Sequence, residues 1–153
     1  MRKYLLYIQS IILLSGTIFA WVTVYKDFAR FYNLYGTVTK ISGCVIPNPV
    51  TTPCFYGAFA FLTAFIISLF ILKKPDNFLL QKRLIILLIA GTIFAWSNFG
   101  YEVYKFYLAS NVDKISCSGV PTENVFATPC FVGACIFLSG LLASIFTKKC
   151  ARS

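Results

Sequence analysis

The sequence predicts an all-α membrane protein of four transmembrane helices, arranged as two parallel tandem helical-hairpin repeats with both termini cytoplasmic. Three observations predict it. The chain of 153 residues is 58% hydrophobic and only 12% charged, with a mean hydropathy of +0.76, which is too apolar for a soluble domain of this size. It contains apolar runs close to the roughly 20 residues a helix needs to cross about 30 Å of hydrocarbon. It also repeats itself. Gly16-Thr17-Ile18-Phe19-Ala20-Trp21 returns as Gly91-Thr92-Ile93-Phe94-Ala95-Trp96, and Thr52-Pro53-Cys54-Phe55-Tyr56-Gly57-Ala58 returns nearly unchanged as Thr128-Pro129-Cys130-Phe131-Val132-Gly133-Ala134.

The runs cover residues 4–25, 55–72, 84–101 and 125–147. They are continuously apolar, whereas a barrel strand alternates over about ten residues, so helices are predicted. The first run follows a basic start, Met1-Arg2-Lys3, and carries the small residue Ala20 near the position of a signal-peptidase cut. Its Gly-Thr-Ile-Phe-Ala-Trp string recurs inside the third run, however, and the first run is therefore expected to be an uncleaved anchor. In each half a Thr-Pro pair precedes the cysteine at the start of the second span. Proline suits a first helical turn because its missing N–H has no intrahelical partner there. Ala60 and Ala64 in the second run, with Gly133, Ser139, Gly140 and Ala143 in the fourth, offer small surfaces for close helix approach.

Charge fixes the expected topology. Of a net charge of +9, Arg2 and Lys3 precede the first span, Lys73, Lys74, Lys82 and Arg83 lie between the second and third, and Lys148, Lys149 and Arg152 follow the fourth. These clusters share one side, which the positive-inside rule makes cytoplasmic. Loops 26–53 and 102–124 are then external, in a plasma membrane or a bacterial inner membrane. Both loops mix signs, so nucleic acid is not expected as a partner, and the basic clusters suit anionic lipid headgroups. The whole chain, 1–153, is read as a single membrane domain with repeat one at 1–74 and repeat two at 82–149. Two spans per copy make the repeats parallel, related by an axis along the membrane normal.

The repeat supplies an internal alignment. Offset by 75 residues, Asp27 falls on Glu102, Arg30 on Lys105, Phe31 on Phe106 and Tyr32 on Tyr107. An acid three positions before a base makes neighbours on a helix, worth a few tenths of a kcal/mol (~0.2–0.5) when exposed. Tyr25, Phe28, Phe31, Tyr32 and Tyr35 are matched by Tyr101, Tyr104, Phe106 and Tyr107. These rings predict a helix that emerges from the bilayer through the headgroup layer and continues along or just above the surface.

No Asp, Glu, Lys, Arg or His lies deep in any span, which removes the usual markers of transport or proton relay. The chain has no histidine, so histidine-ligated haem, zincin-type hydrolysis and Ser-His-Asp chemistry are excluded within it. No Gly-rich phosphate loop occurs; no metal and no cofactor is expected. Ser97 and Asn98 in the third span, aligned with Val22 and Thr23, are read as interhelical hydrogen-bonding residues, with hydrogen bonding to a ligand as the alternative.

Chemistry is left to the cysteines. Cys44 and Cys54 belong to the first external loop, Cys117 and Cys130 to the second, and both loops face the compartment in which disulfides persist. The simplest pairing is Cys44 with Cys54 and Cys117 with Cys130, tethering each loop to the top of a helix. Such closure contributes roughly 2 to 4 kcal/mol. Cys135 aligns with Phe59 and is expected to be a buried thiol. Cys150, among Lys and Arg, is expected to be reduced, with lipidation as the alternative.

A helical membrane bundle with both termini inside and a cysteine pair in each outer loop resembles the bacterial disulfide-bond formation membrane protein family. The segment Ser116-Cys117-Ser118-Gly119-Val120, followed by Pro129 and Gly133, is similar to the loop of vitamin K epoxide reductases, another four-helix thiol enzyme family. The resemblance implies thiol-disulfide exchange between Cys44–Cys54 and Cys117–Cys130, with quinone as electron acceptor. Those families use a Cys-x-x-Cys pair, and no two cysteines here have that spacing. Matched pairs in a near-symmetric repeat are explained directly by duplicated staples, whereas exchange asks for distinct roles. The leading expectation is therefore a small membrane scaffold or interaction protein presenting stapled loops to an external protein partner. A quinone-linked thiol-disulfide oxidoreductase is the alternative.

Overall fold

The computed structural model describes residues 2–39, 46–75, 77–108 and 122–150. It is all-helical: α1 (Arg2–Tyr35), α2 (Pro53–Lys73), α3 (Phe78–Leu108) and α4 (Pro129–Cys150), with 3-10 turns at Pro49–Thr51 and Val125–Ala127. Each of the four α-helices is long and apolar enough to cross a membrane.

Local chemistry sets the ends. Gly36 takes a left-handed φ of 66° and its N–H donates to the Tyr32 carbonyl at 2.8 Å, which is how a glycine after the last turn stops α1. Asn77 opens α3 by accepting the Leu80 N–H on Oδ1 at 3.2 Å. Pro53 and Pro129 are the first residues of α2 and α4. Thr128 before Pro129 is extended, with ψ 150°, because the proline ring disfavours a helical residue ahead of it. The fourth apolar run is thereby corrected: residues 125–127 form a separate 3-10 turn, and the helix begins at Pro129.

α1 and α3 have 34 and 31 residues, about 51 and 46 Å at 1.5 Å per residue. Both run on as single helices beyond what about 30 Å of hydrocarbon requires, carrying Tyr25, Tyr32, Tyr101, Tyr104 and Tyr107 exposed.

α1 packs against α2 and α4, and α3 packs against α4 and α2, while α2 and α4 also touch across the centre. Contacts fix the directions. Phe28 meets Phe55 and Trp21 meets Phe59, so α1 and α2 are antiparallel. Phe99 meets Phe131 and Gly91 meets Phe137, so α3 and α4 are too. The start of α1, the start of α3 and the end of α4 consequently share one end of the bundle, where Gln81 bonds both Gln9 and Ser144.

At the centre the Phe61 and Phe137 rings stack, with centroids 3.8 Å apart and planes 22° apart. Each ring is seated on a glycine. A Cβ at Gly16 would lie 2.6 Å from Phe61 Cε1, and one at Gly91 would lie 2.5 Å from Phe137 Cε1. The repeated strings thus supply the glycines, and the phenylalanines stand seven residues after Cys54 and Cys130. Both rings are almost fully buried, at 2% exposure. Gly140 is a further close approach, its built Cβ 3.3 Å from Leu13 Cδ2. Ala64 is buried among the expected small packing residues, but Ser139 is exposed and donates to the Ile136 carbonyl of its own helix.

Gly16→Ala and Gly91→Ala are each expected to destabilise the bundle by about 1–3 kcal/mol through overpacking, measured by denaturant unfolding in micelles. Adding Phe61→Leu to the first or Phe137→Leu to the second should return part of that loss. Unchanged stability of both single variants would show that the rings do not need glycine seats.

Candidate functional site: a cavity between two cysteines

Directly above the Phe61–Phe137 stack, a partly enclosed cavity of about 60 Å³ opens between all four helices. Its lining is matched copy for copy: Phe19 with Phe94, Ala20 with Ala95, Thr23 with Asn98, Pro53 with Pro129, Cys54 with Cys130, Gly57 with Gly133 and Phe61 with Phe137. The floor is the aromatic stack. Seven residues make about two turns, so Cys54 stands on the face of α2 that carries Phe61, and Cys130 on the face of α4 that carries Phe137. Because those rings meet across the centre, the two cysteines flank one space.

The room comes from residues without bulk. A Cβ at Gly57 or at Gly133 meets nothing within 4 Å, so packing does not demand glycine at either position. Polar capacity is small. Thr23 donates its hydroxyl to the Phe19 carbonyl at 2.9 Å, and Asn98 donates its amide to the Phe94 carbonyl at 2.7 Å. Asn98 therefore bonds within its own helix, which corrects the interhelical role expected for it. None of the lining residues is charged.

The two cysteine-bearing helices are preceded by a repeated N-terminal device. Asn48 accepts the Val50 N–H at 3.0 Å and Asn124 accepts the Phe126 N–H at 2.9 Å, each opening the 3-10 turn that leads to Thr-Pro-Cys. Sequence reasoning began this motif at the threonine and missed the asparagine. The signal was present, because Asn48 and Asn124 stand six residues before Cys54 and Cys130.

Two acids sit beside the same end. Asp27 and Glu102 are buried, at 6% and 7% exposure, and both lie within electrostatic reach of Cys54. Asp27 Oδ1 is 3.5 Å from Arg30 Nη1, the expected i,i+3 pair, but its burial corrects the exposed surface pair foreseen. Glu102 meets Thr128: the Thr128 hydroxyl is 3.2 Å from its Oε2 and 2.8 Å from the Val125 carbonyl, so one proton serves two acceptors. Lys105 lies over the Tyr101 ring at 4.7 Å. Carboxylates are favoured near the first turns of α2 and α4, where helix N-termini carry partial positive charge.

Of the expected disulfide residues, Cys130 is disulfide-bonded, whereas Cys54 lines the cavity as a thiol, which departs from the expected Cys44–Cys54 pairing; Cys44 and Cys117 lie outside the described residues. Cys135 is a free cysteine on the outer face of α4, not a buried one, because its position is rotated away from the face shared by Cys130, Ala134 and Phe137. Cys150 is also a free cysteine. No group of three or more metal-ligating side chains occurs among the described residues.

The volume limits what the cavity can hold. It is less than half of the roughly 150 Å³ that accommodates a benzene ring, so a quinone head enters only if side chains move. No protein-family model, no curated protein and no solved structure matches the chain.

Gly57→Ala and Gly133→Ala should fill the space without a clash. Because alanine exceeds glycine in helix propensity by about 1 kcal/mol, both variants are expected to be as stable as the parent or slightly more so in micelle unfolding. A loss above about 1 kcal/mol would contradict the open geometry at these glycines.

Proposed function

We infer that this chain is a small polytopic membrane scaffold or interaction protein. It consists of two parallel hairpin repeats with cytoplasmic termini, and it holds loops 26–53 and 102–124 outside a plasma or bacterial inner membrane for a protein partner. In the oxidised protein Cys44–Cys54 and Cys117–Cys130 staple those loops. The observation that carries this reading is the uncharged cavity of about 60 Å³ floored by an interlocked aromatic pair. Thiol exchange uses accessible cysteines activated by a neighbouring cation or similar electropositive surroundings, and this lining supplies no cation. A matched, close-packed core suits a platform.

A second reading, membrane thiol-disulfide oxidoreductase with quinone as acceptor, is favoured by one specific observation. Cys54 and Cys130, which belong to different pairs, line the same cavity. In that reading a partner dithiol reduces one pair, the electrons pass to the other pair by disulfide exchange, and quinone takes two electrons and two protons to become quinol.

Reductant sensitivity in bilayers separates the two. For the scaffold, all four loop cysteines stay protected from alkylation under mild dithiol until the protein is unfolded. Rapid reduction of one pair, followed by reoxidation on adding quinone, would instead establish the oxidoreductase. Cys130→Ser is expected to lower unfolding stability by about 2–4 kcal/mol through loss of a tether.

A further inference from the structure

At the opposite end from the cysteines, every helix buries a polar residue. Gln9, Ser68, Gln81, Ser144 and Thr147 are each 6% exposed or less. Gln9 and Gln81 are the two glutamines of the chain, and they meet: Gln81 Nε2 donates to Gln9 Oε1 at 3.1 Å and to the Ser144 carbonyl at 3.0 Å. One amide nitrogen thus gathers α1, α3 and α4.

Three polar atoms of these hydrogen-bonded residues have no protein partner, Gln9 Nε2, Gln81 Oε1 and Ser144 Oγ, as does the neighbouring Ser10 Oγ. The three comprise a donor, an acceptor and a hydroxyl that serves as either. Ser144 is the informative one. Thr17, Ser68, Thr92 and Thr147 all give their hydroxyls to a carbonyl of their own helix, the easy solution for such residues in apolar surroundings. Ser144 does not take it, although it is fully buried. Unpaired polar groups are costly where water and other partners are excluded.

We propose that Gln9, Gln81 and Ser144 form a buried binding site for a small guest that both donates and accepts hydrogen bonds, namely a long-lived water molecule. The guest accepts from Gln9 Nε2, donates to Gln81 Oε1 and pairs with Ser144 Oγ. That gives three bonds, within the two to four typical of buried waters. The site is independent of the cysteines and of either functional reading.

Two glutamines make the test clean. The full chain labelled with 15N-glutamine in lipid nanodiscs gives two side-chain amide pairs, assigned by the loss of one pair in Gln9→Met. The expected result is rotating-frame Overhauser peaks between these amide protons and water, opposite in sign to exchange peaks. In Ser144→Ala, with helicity retained, the peak at Gln81 should lose at least half its intensity. Absence of water peaks in the parent protein, or peaks of exchange sign alone, would overturn the site whether or not the variants fold. So would undiminished intensity in a folded Ser144→Ala.

Discussion

The seating of Phe61 and Phe137 on Gly16 and Gly91 is the contact from which the rest of the bundle is built. Between helices in hydrocarbon there is little hydrophobic drive, since lipid tails are as apolar as leucine, and association relies on van der Waals fit and hydrogen bonds. A glycine lets the ring of the neighbouring helix approach the backbone, and the two rings then bring α2 and α4 together although these helices are diagonal partners. Their separation at that level fixes it two turns higher, where Cys54 and Cys130 flank the cavity. The cavity is thus a consequence of the stack: large rings hold the helices apart at one level, and Gly57 and Gly133 put nothing into the gap above.

Much of this was legible in the sequence, and the failures have physical causes. Span number follows from run length, and helix starts follow from Pro53 and Pro129. The fourth apolar run overshoots the start of α4 because Val125, Phe126 and Ala127 are apolar enough to extend it, and hydropathy does not sense backbone conformation; the proline does. The glycines and phenylalanines were visible as repeated letters, but their pairing depends on how the helices are rotated about their axes. The same rotation explains Cys135, which apolar context alone placed in the core and which faces outward. Asp27 and Glu102 look like exposed partners of Arg30 and Lys105 when one helix is considered. They are buried because the first turns of neighbouring helices stand beside them, a tertiary fact.

The repeat is matched closely at one end of the bundle and broken at the other. Around the cysteines every lining residue has its counterpart, even to the asparagines that open the 3-10 turns. This symmetry favours duplicated structural parts over a directional relay, in which donor and acceptor sites require different chemistry. It also leaves the cavity with two like walls and no charged residue to distinguish them.

At the far end the alignment pairs Leu6 with Gln81 and Gln9 with Leu84. All four residues are buried, so one copy reads Leu-x-x-Gln where the other reads Gln-x-x-Leu. A perfectly duplicated chain would place like residues at both positions, giving either an all-leucine contact with no polar preference or a crowd of amides. The reversed order puts one glutamine on each of α1 and α3 at a level where they reach one another, with a leucine three residues away on each helix. Interhelical hydrogen bonds of this kind contribute only about 0.6 kcal/mol on average in membrane proteins. Their larger effect is on alternatives: sliding either half by one turn would exchange a glutamine for a leucine and leave a buried amide unpaired, at a cost of about 1–3 kcal/mol. The glutamine pair therefore selects the register in which the glycine seats and the phenylalanine rings coincide, and the broken symmetry at one end secures the preserved symmetry at the other.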